Sequence, residues 1–178
     1  MKLRRTIAVI VILVLLVSLT LGVIHVSYFY KTGRIKEDYL IKLYLLEISG
    51  GILTDIEDNI IDRSVILTLS ESTRYGSRDG TKALTVTEAK EILSAIPQMQ
   101  NKFKKQKERG FAYEGKTTII YKDITGKNFM YFSGDNLDIA IEGIYISLDA
   151  TQTQEFMEYI EKALEWIEKR TQELQENR

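Results

Sequence analysis

Ile60–Leu69 reads IIDRSVILTL and ends in a run of β-branched and leucine residues from Val65 to Leu69. A short apolar run of this kind is typical of a buried β-strand. The polar stretch that follows, Ser70–Lys82, contains two glycines and predicts a loop. A helical pattern comes next, so this part of the chain predicts a mixed α and β fold.

The helical pattern covers Thr85 to Arg109. Thr85 and Glu88 have the spacing of a capping box, in which each side chain satisfies a free backbone N–H of the other. Pro97 lies inside the pattern and predicts a kink or a break into two segments. The apolar residues that recur at helical spacing and predict a core-facing side are Ala89, Ile92, Leu93, Ile96, Met99 and Phe103.

Three further strands are predicted downstream. Lys116–Lys122 and Asn128–Phe132 are separated by a short glycine-containing connection that favours a hairpin, and Ile139–Leu148 follows another turn. Together with Ile60–Leu69 they predict an antiparallel sheet of about four strands. Tyr39–Ile48 is apolar on both faces, so its pattern fits either a helix or a strand.

A second amphipathic helix is predicted to begin near Thr151, with Gln154 as its capping partner. Its apolar stripe consists of Phe156, Ile160, Ala163 and Ile167. After Arg170 the chain reads TQELQENR, and residues 171–178 are predicted to be a polar tail. The expected fold class is therefore α+β, with two helices covering the sheet in a single domain over residues 39–170.

Ile7–Tyr30 reads IAVIVILVLLVSLTLGVIHVSYFY and carries no charge at neutral pH. As a helix it would span about 36 Å, more than the roughly 30 Å hydrocarbon core of a bilayer. Residues 1–30 are therefore predicted to form a basic N-terminus and a transmembrane signal-anchor, with the lipid bilayer as partner of Ile7–Tyr30. Residues 31–38 would be a juxtamembrane linker. A cleaved signal peptide, with Thr20 and Gly22 near the cleavage site, is the alternative.

The orientation of this predicted single-pass anchor depends on its flanking charges. Basic residues lie on both sides, and these are Lys2, Arg4, Arg5, Lys31, Arg34 and Lys36. The count is close to a tie, but a very short basic N-terminus ahead of a first helix usually stays in the cytoplasm. The domain is therefore predicted to be extracytoplasmic.

Composition excludes several classes of function. The net charge is −1, so no global electrostatic attraction to nucleic acid is expected. The chain has no cysteine, which excludes disulfides, cysteine–zinc sites and thiol chemistry. His25 is the only histidine and lies in the apolar N-terminal stretch, where a neutral interfacial side chain is favoured over a functional one.

Residues 110–117 read GFAYEGKT and match the pattern of a phosphate-binding loop. Such a loop follows a strand and opens a helix at its Lys-Thr pair. Here a predicted helix precedes the match and a predicted strand follows Lys116. The context is inverted, so no nucleotide is expected to bind.

Two acidic clusters could hold calcium or perform acid–base hydrolysis. Their members are Asp55, Glu57, Asp58 and Asp62 in one and Asp135, Asp138 and Glu142 in the other. Neither has the spacing of a calcium-binding loop, and aspartates beside glycine and asparagine usually serve turn geometry. Solvated turns are the favoured interpretation.

A basic group crowds the end of the first predicted helix: Lys102, Lys104, Lys105, Lys107 and Arg109. These side chains could contact anionic lipid, but cations at a helix C-terminus also complement the helix dipole, and a solvated helix end is favoured. Trp166, the only tryptophan, is predicted to be a core or helix-packing residue rather than a stacking platform for a ligand.

The expected function is protein or ligand binding by a membrane-anchored α+β domain, without catalysis. No catalytic, cofactor-binding or metal-binding residue is assigned, and neither nucleic acid nor nucleotide is expected as a partner. A protein partner or self-association through the domain is the expected mode of action. The alternative is a membrane-tethered or secreted hydrolase that uses the acidic loop residues.

Overall fold

The computed structural model describes residues 26–39, 41–108, 117–122 and 128–177 of the 178-residue chain. Two helices and eight strands are assigned within these ranges. In chain order they are β1 (Val26–Tyr39), β2 (Lys42–Thr54), β3 (Ile60–Thr73), β4 (Gly76–Thr85), α1 (Val86–Glu108), β5 (Thr117–Lys122), β6 (Asn128–Ser133), β7 (Asn136–Ile141), β8 (Ile144–Leu148) and α2 (Ala150–Glu176).

The strands form two antiparallel sheets with sequential order, β1-β2-β3-β4 (sheet 1) and β5-β6-β7-β8 (sheet 2). The prediction of one sheet of about four strands is therefore wrong. Ser70–Lys82, predicted as a loop, contains the end of β3, a turn at Arg74 and Tyr75, and most of β4. Ile139–Leu148, predicted as one strand, is the β7–β8 hairpin, whose turn places Glu142 and Gly143 at positive φ.

The N-terminal prediction is corrected by β1. Val26–Tyr30, predicted as the end of a transmembrane helix, are strand residues paired with the Gly50–Thr54 segment of β2. No helix among the described residues is long and apolar enough to cross a membrane. These findings contradict the signal-anchor over Ile7–Tyr30, and with it the single-pass membrane localisation; residues 7–25 lie outside the described ranges. The physical reason is that aromatic residues such as Phe29 are also strong strand formers.

Residues 31–38, predicted as a linker, continue β1 and are paired with β2 throughout, apart from a bulge between Lys31 and Gly33. Tyr39–Ile48, whose pattern fitted either state, spans the end of β1 and the first half of β2. Both segments pair because β1 and β2 are adjacent antiparallel strands of one hairpin. An antiparallel strand can face water on one side, so residues 31–38 pair with β2 although they contain no long apolar run.

Helix α1 confirms the predicted helix and its cap. The Glu88 carboxylate accepts a hydrogen bond from the Thr85 backbone N–H (2.7 Å). In return, the Glu88 backbone N–H donates a hydrogen bond to the Thr85 hydroxyl (3.2 Å). Pro97 lies inside a continuous helix and does not divide it into two. The predicted apolar face is buried at Ala89, Ile92, Ile96 and Phe103.

Helix α2 begins at Ala150, one residue before the predicted start at Thr151, and its capping partner is Gln152 instead of Gln154. Asp149 is its N-cap, and the Asp149 carboxylate and Gln152 side chain form a reciprocal capping box with hydrogen bonds of 2.9 and 3.0 Å. The helix also continues to Glu176, so residues 171–176 of the predicted polar tail are helical. The buried stripe extends from Phe156 through Leu174, because the 3.6-residue period keeps Leu174 on the core face.

The continued helix makes truncation costly. Leu174 is 5% exposed, and its replacement by alanine is expected to lower the free energy of unfolding by about 2 kcal/mol, through lost burial and a residual cavity. Deletion of residues 171–178 should cost at least as much. Thermal unfolding of these variants beside Gln172→Ala, at an exposed position of the same helix, measures the effect. A deletion as stable as the wild type would show that the last turns contribute no packing.

Helix α2 packs on sheet 1 at two glycines. The Tyr159 ring lies against Gly33, and the Trp166 ring and Ala163 carbonyl lie against Gly50. The Thr32 hydroxyl, at the bulge, donates to the Tyr159 carbonyl (2.8 Å). Sheet 2 approaches sheet 1 at Gly80 of β4, where an added Cβ would lie 2.9 Å from the Ile141 carbonyl oxygen.

Candidate functional site

The first predicted acidic cluster is a turn. The Asp55 carboxylate accepts hydrogen bonds from the backbone N–H groups of Glu57 (2.9 Å) and Asn59 (2.8 Å), and Asp58 adopts a positive φ of 60°. This arrangement closes the β2–β3 connection, which is the turn role predicted for these carboxylates. Asp62 lies in β3, pairs with Leu53 and is exposed.

The second acidic cluster is dispersed by the β6–β7–β8 meander. Asp135 lies in the β6–β7 turn and Glu142 in the β7–β8 turn, at opposite ends of β7. Asp138 lies between them within the strand, and its side chain is half-buried. The structure thus separates Asp138 from the residues with which it was grouped. No group of three or more histidine, aspartate or glutamate side chains able to hold a metal ion occurs among the described residues.

The other predicted positions are partly described. The phosphate-loop match, with Lys116, lies outside the described residues except for Thr117, but α1 precedes it and β5 follows it, as predicted. His25, Arg109 and the side chain of Lys107 also lie outside. Lys102, Lys104 and Lys105 are exposed on the last turns of α1.

Trp166 is a packing residue, as predicted. Its ring stacks on Tyr30 of β1, with centroids 5.7 Å apart and an interplanar angle of 17°. The contact packs α2 against β1 and gives Tyr30, the last residue of the apolar N-terminal stretch, a structural role. Trp166 is therefore a helix-packing contact.

A cleft of about 310 Å³ lies between the end of the β1–β2 hairpin and the outer face of sheet 2. Four of its eight lining residues are tyrosines, and one is a carboxylate. The residues are Tyr39, Lys42, Tyr44, Tyr131, Asp138, Tyr145, Ile146 and Ser147. Aromatic walls with a few polar groups are typical of small-ligand sites, whose volumes begin at about 300 Å³. We call this site the tyrosine cleft.

Strand register builds the sheet 2 wall of the tyrosine cleft. Tyr131 pairs with Asp138, and Asp138 pairs with Ser147, so the three side chains form one row on the same face. Tyr145 lies two residues before Ser147 on the same face. The Ser147 hydroxyl forms a hydrogen bond with the Asp138 carboxylate. The opposite face of the same strands carries the buried residues of the core, such as Ile139.

The sheet 1 wall combines two tyrosines with an ionic network. Tyr39 and Tyr44 meet edge to face, with ring centroids 5.6 Å apart at 84°. Behind them lies Glu71, only 4% exposed, whose carboxylate accepts hydrogen bonds from Lys42 (2.6 Å) and the Tyr44 hydroxyl (2.9 Å). Arg78 of β4 pairs with the other carboxylate oxygen of Glu71.

The two carboxyls near the cleft differ in their protonation behaviour. Hydrogen bonds from Lys42 and Arg78 lower the pKa of Glu71 to about 2, against partial burial. Burial raises the pKa of Asp138 above its ordinary value, with the Ser147 hydrogen bond as a smaller opposing effect. Burial also raises the pKa of Tyr131, with a smaller contribution from the charge of Asp138. Glu71 is thus a compensated charge, whereas Asp138 is a carboxylate whose ionised form is poorly solvated.

Stability should depend on Glu71 in acid. Because its folded pKa of about 2 lies below the unfolded value of 4.5, its contribution is present above pH 4.5 and is lost as the pH falls toward 2. Glu71→Gln should therefore melt below the wild type at neutral pH, with the gap narrowing across that window. Thermal unfolding against pH measures this, with exposed Glu91→Gln as control. A gap that stays constant with pH would contradict the assignment.

Sequence reasoning missed the sheet 1 wall because it assigned the Glu71 region to a loop. One signal was available: Val65, Leu67 and Leu69 recur at every second position, with the polar Thr68 and Ser70 between and after the last two, and this period of two places Glu71 on the same buried face. A glutamate that continues a buried alternation requires a cationic partner. The tyrosines gave no comparable signal, since Tyr39 and Tyr44 lie far in the sequence from Tyr131 and Tyr145.

A larger groove, of about 590 Å³, lies between α1, α2 and β3. Its apolar floor includes Leu93, Leu164 and Ile167, and exposed residues of both charge signs, such as Lys90 and Glu165, form its rims. No aromatic residue lines it within the described part of the chain. The groove follows the line along which α1 and α2 meet at the surface. The tyrosine cleft is therefore the better candidate for ligand recognition.

No protein-family model matches this sequence, and a search of curated proteins finds no relative. The function is therefore inferred from the geometry of the tyrosine cleft.

Proposed function

We propose that this protein binds a small ligand, or a single protruding group of a larger one, in the tyrosine cleft and does not transform it. The observation that supports the proposal is the convergence of four tyrosines from two sheets around the half-buried carboxylate of Asp138. Tyrosine combines a large apolar ring with a hydroxyl, which suits it to recognition surfaces. The role is the binding function expected from the sequence, now assigned to named residues.

Binding is favoured over hydrolysis because of the way the carboxyls are arranged. Glycoside hydrolysis of the usual kind requires two carboxyls that flank one bond. Among the described residues that line the cleft, Asp138 is the only carboxyl, and the Glu71 carboxylate behind the wall is occupied by Lys42 and Arg78. No other carboxylate of the two predicted acidic clusters lines the cleft among the described residues. The hydrolase stays an unsupported alternative.

A fragment screen tests the proposal. Ligand-observed NMR of the full chain against small cations, anions, sugars and neutral aromatics is expected to yield binders that Tyr145→Ala weakens. Tyr145 is 58% exposed, so this variant should fold. Tyr75→Ala is the matched control, because Tyr75 is 83% exposed in the β3–β4 turn, outside the cleft. Binders that respond equally to both variants, or not to either, would refute the assignment.

The ionised carboxylate of Asp138 should lower the stability of the fold at neutral pH. Because its folded pKa is raised above the unfolded value of 3.8, the ionised side chain destabilises the fold at neutral pH. Asp138→Asn should therefore melt above the wild type at neutral pH, and the difference should vanish as the pH falls below 3.8. Exposed Asp79→Asn is the control for loss of a charge. A variant less stable than the wild type at neutral pH would show that the carboxylate has a structural role.

A further inference from the structure

The carboxylate of Asp138 lacks a compensating cation in the part of the chain that the structure describes. It forms a hydrogen bond with Ser147 and lies opposite Tyr131, but no ion pair joins it to a described lysine or arginine. A half-buried carboxylate without a cation is costly to desolvate. A ligand with a positive charge would supply the missing partner.

Lys42 also lines the cleft, but its ammonium group is paired with Glu71 and not with Asp138. The Lys42 ammonium lies 2.6 Å from a Glu71 oxygen, and Arg78 occupies the other oxygen of the same carboxylate. Lys42 therefore forms the sheet 1 end of the cleft as part of an ionic network. Asp138 lies on the opposite wall, in the row with Tyr131 and Ser147. The charge pattern thus favours a ligand whose positive group lies on the sheet 2 side, away from Lys42.

The aromatic residues suit the same kind of group. An aromatic face attracts a cation through its quadrupole, and an alkylated ammonium is held best because its alkyl groups also bury against the rings. Tyr131 and Tyr145 flank Asp138 on sheet 2. Tyr39 on sheet 1 also lines the cleft, and its pKa is raised by burial, then by Glu37 and Tyr44, and least by the charge of Asp138. Rings are thus present on both walls around one anionic group.

We propose that the tyrosine cleft recognises an alkylated ammonium group, with Asp138 as the counter-ion and Tyr39, Tyr131 and Tyr145 as the aromatic walls. The inference rests on the proposed binding function and specifies its ligand class. The volume of about 310 Å³ fits a compact head group and little more. The favoured ligand is a free small ammonium compound; a methylated lysine side chain presents the same chemistry from a protein.

Choline and its uncharged isostere 3,3-dimethylbutan-1-ol separate charge from shape. Titration of the full chain, followed by NMR, is expected to show choline binding at least about tenfold more tightly than the alcohol. Asp138→Asn should weaken choline by a similar factor and leave the alcohol unchanged, whereas Asp79→Asn should change neither. Tyr131→Phe should keep choline binding and Tyr131→Leu should reduce it, because the ring and not the hydroxyl carries the attraction.

The outcomes separate this inference from the proposed function. Equal binding of choline and the alcohol in the cleft overturns the ammonium inference but leaves the cleft as a binding site. Failure of every fragment to bind in the cleft overturns both. A trimethyllysine peptide that binds more tightly than choline, and far more tightly than its unmethylated form, supports the ammonium chemistry and assigns its source to a protein partner.

Discussion

Gly33→Ala is expected to be among the most destabilising single substitutions in this chain, although it adds one methyl group. The Tyr159 ring of α2 lies directly over Gly33, and a Cβ there would overlap ring atoms close to the Tyr159 backbone. The ring cannot move aside without shifting the helix. Overpacking of this kind costs typically about 1–3 kcal/mol and occasionally more. The upper part of that range is expected, since the Thr32 bond to the Tyr159 carbonyl would be strained as well.

A double-mutant cycle identifies the cause. Tyr159→Ala alone removes ring packing and should destabilise the protein, but in that background Gly33→Ala should cost little, because the space it needs is empty. Chemical denaturation of the four proteins gives the coupling free energy. Additive effects would mean that the ring of Tyr159 is not what excludes a side chain from position 33.

Gly50→Val is the second substitution with a large expected effect. An added Cβ would lie 2.8 Å from Trp166 Cε3 and 3.1 Å from the Ala163 carbonyl oxygen, and a backbone atom cannot rotate away. Helix α2 would have to lift from sheet 1, which would also disrupt the stacking of Trp166 on Tyr30. A loss of about 3 kcal/mol or more in the free energy of unfolding is expected.

The adjacent glycine provides the control, because neighbouring strand residues point to opposite faces. At Gly51 a Cβ would meet the Ile66 Cδ1 methyl at 2.9 Å and the Phe29 ring at 3.4 Å, both side-chain atoms on the outer face. Gly51→Val should therefore cost clearly less than Gly50→Val in the same unfolding measurement. Equal losses would indicate a general intolerance of valine in β2 rather than helix packing at Gly50.

Local sequence patterns predicted the two helices but not all of the strands. The capping box at Thr85 and the stripes of both helices were predictable, because helical periodicity and capping are local properties. The pairing of β1 with β2 was not, since the apolar residues up to Tyr30 continue the hydropathy of a possible membrane helix. β4 was missed because GSRDGTKALT has weak strand propensity, and its strand state comes from pairing with β3.

The tyrosine cleft was less predictable than the elements that form it. Asp138 was noticed in the sequence, but grouped with Asp135 and Glu142, which the meander places in turns at the two ends of β7. Its cross-strand partners Tyr131 and Ser147 follow from register, which depends on the turns. The sheet 1 wall faces these residues only because the two sheets pack against each other, which the local sequence does not reveal. A site assembled from non-local contacts leaves no motif of fixed spacing.

The most direct test of the tyrosine cleft is an NMR titration of the full chain labelled with ¹³C at its tyrosine rings, with choline as the probe. Tyr39, Tyr44, Tyr131 and Tyr145 line the cleft, whereas Tyr28, Tyr30, Tyr75 and Tyr159 do not, so the chain carries its own internal controls. The ring resonances of the first four are expected to shift together along one saturable curve while those of the second four stay in place. Saturable shifts confined to Tyr28, Tyr30 and Tyr159, or no saturable shift at all, would contradict the assignment of the cleft as the site that binds an alkylated ammonium group.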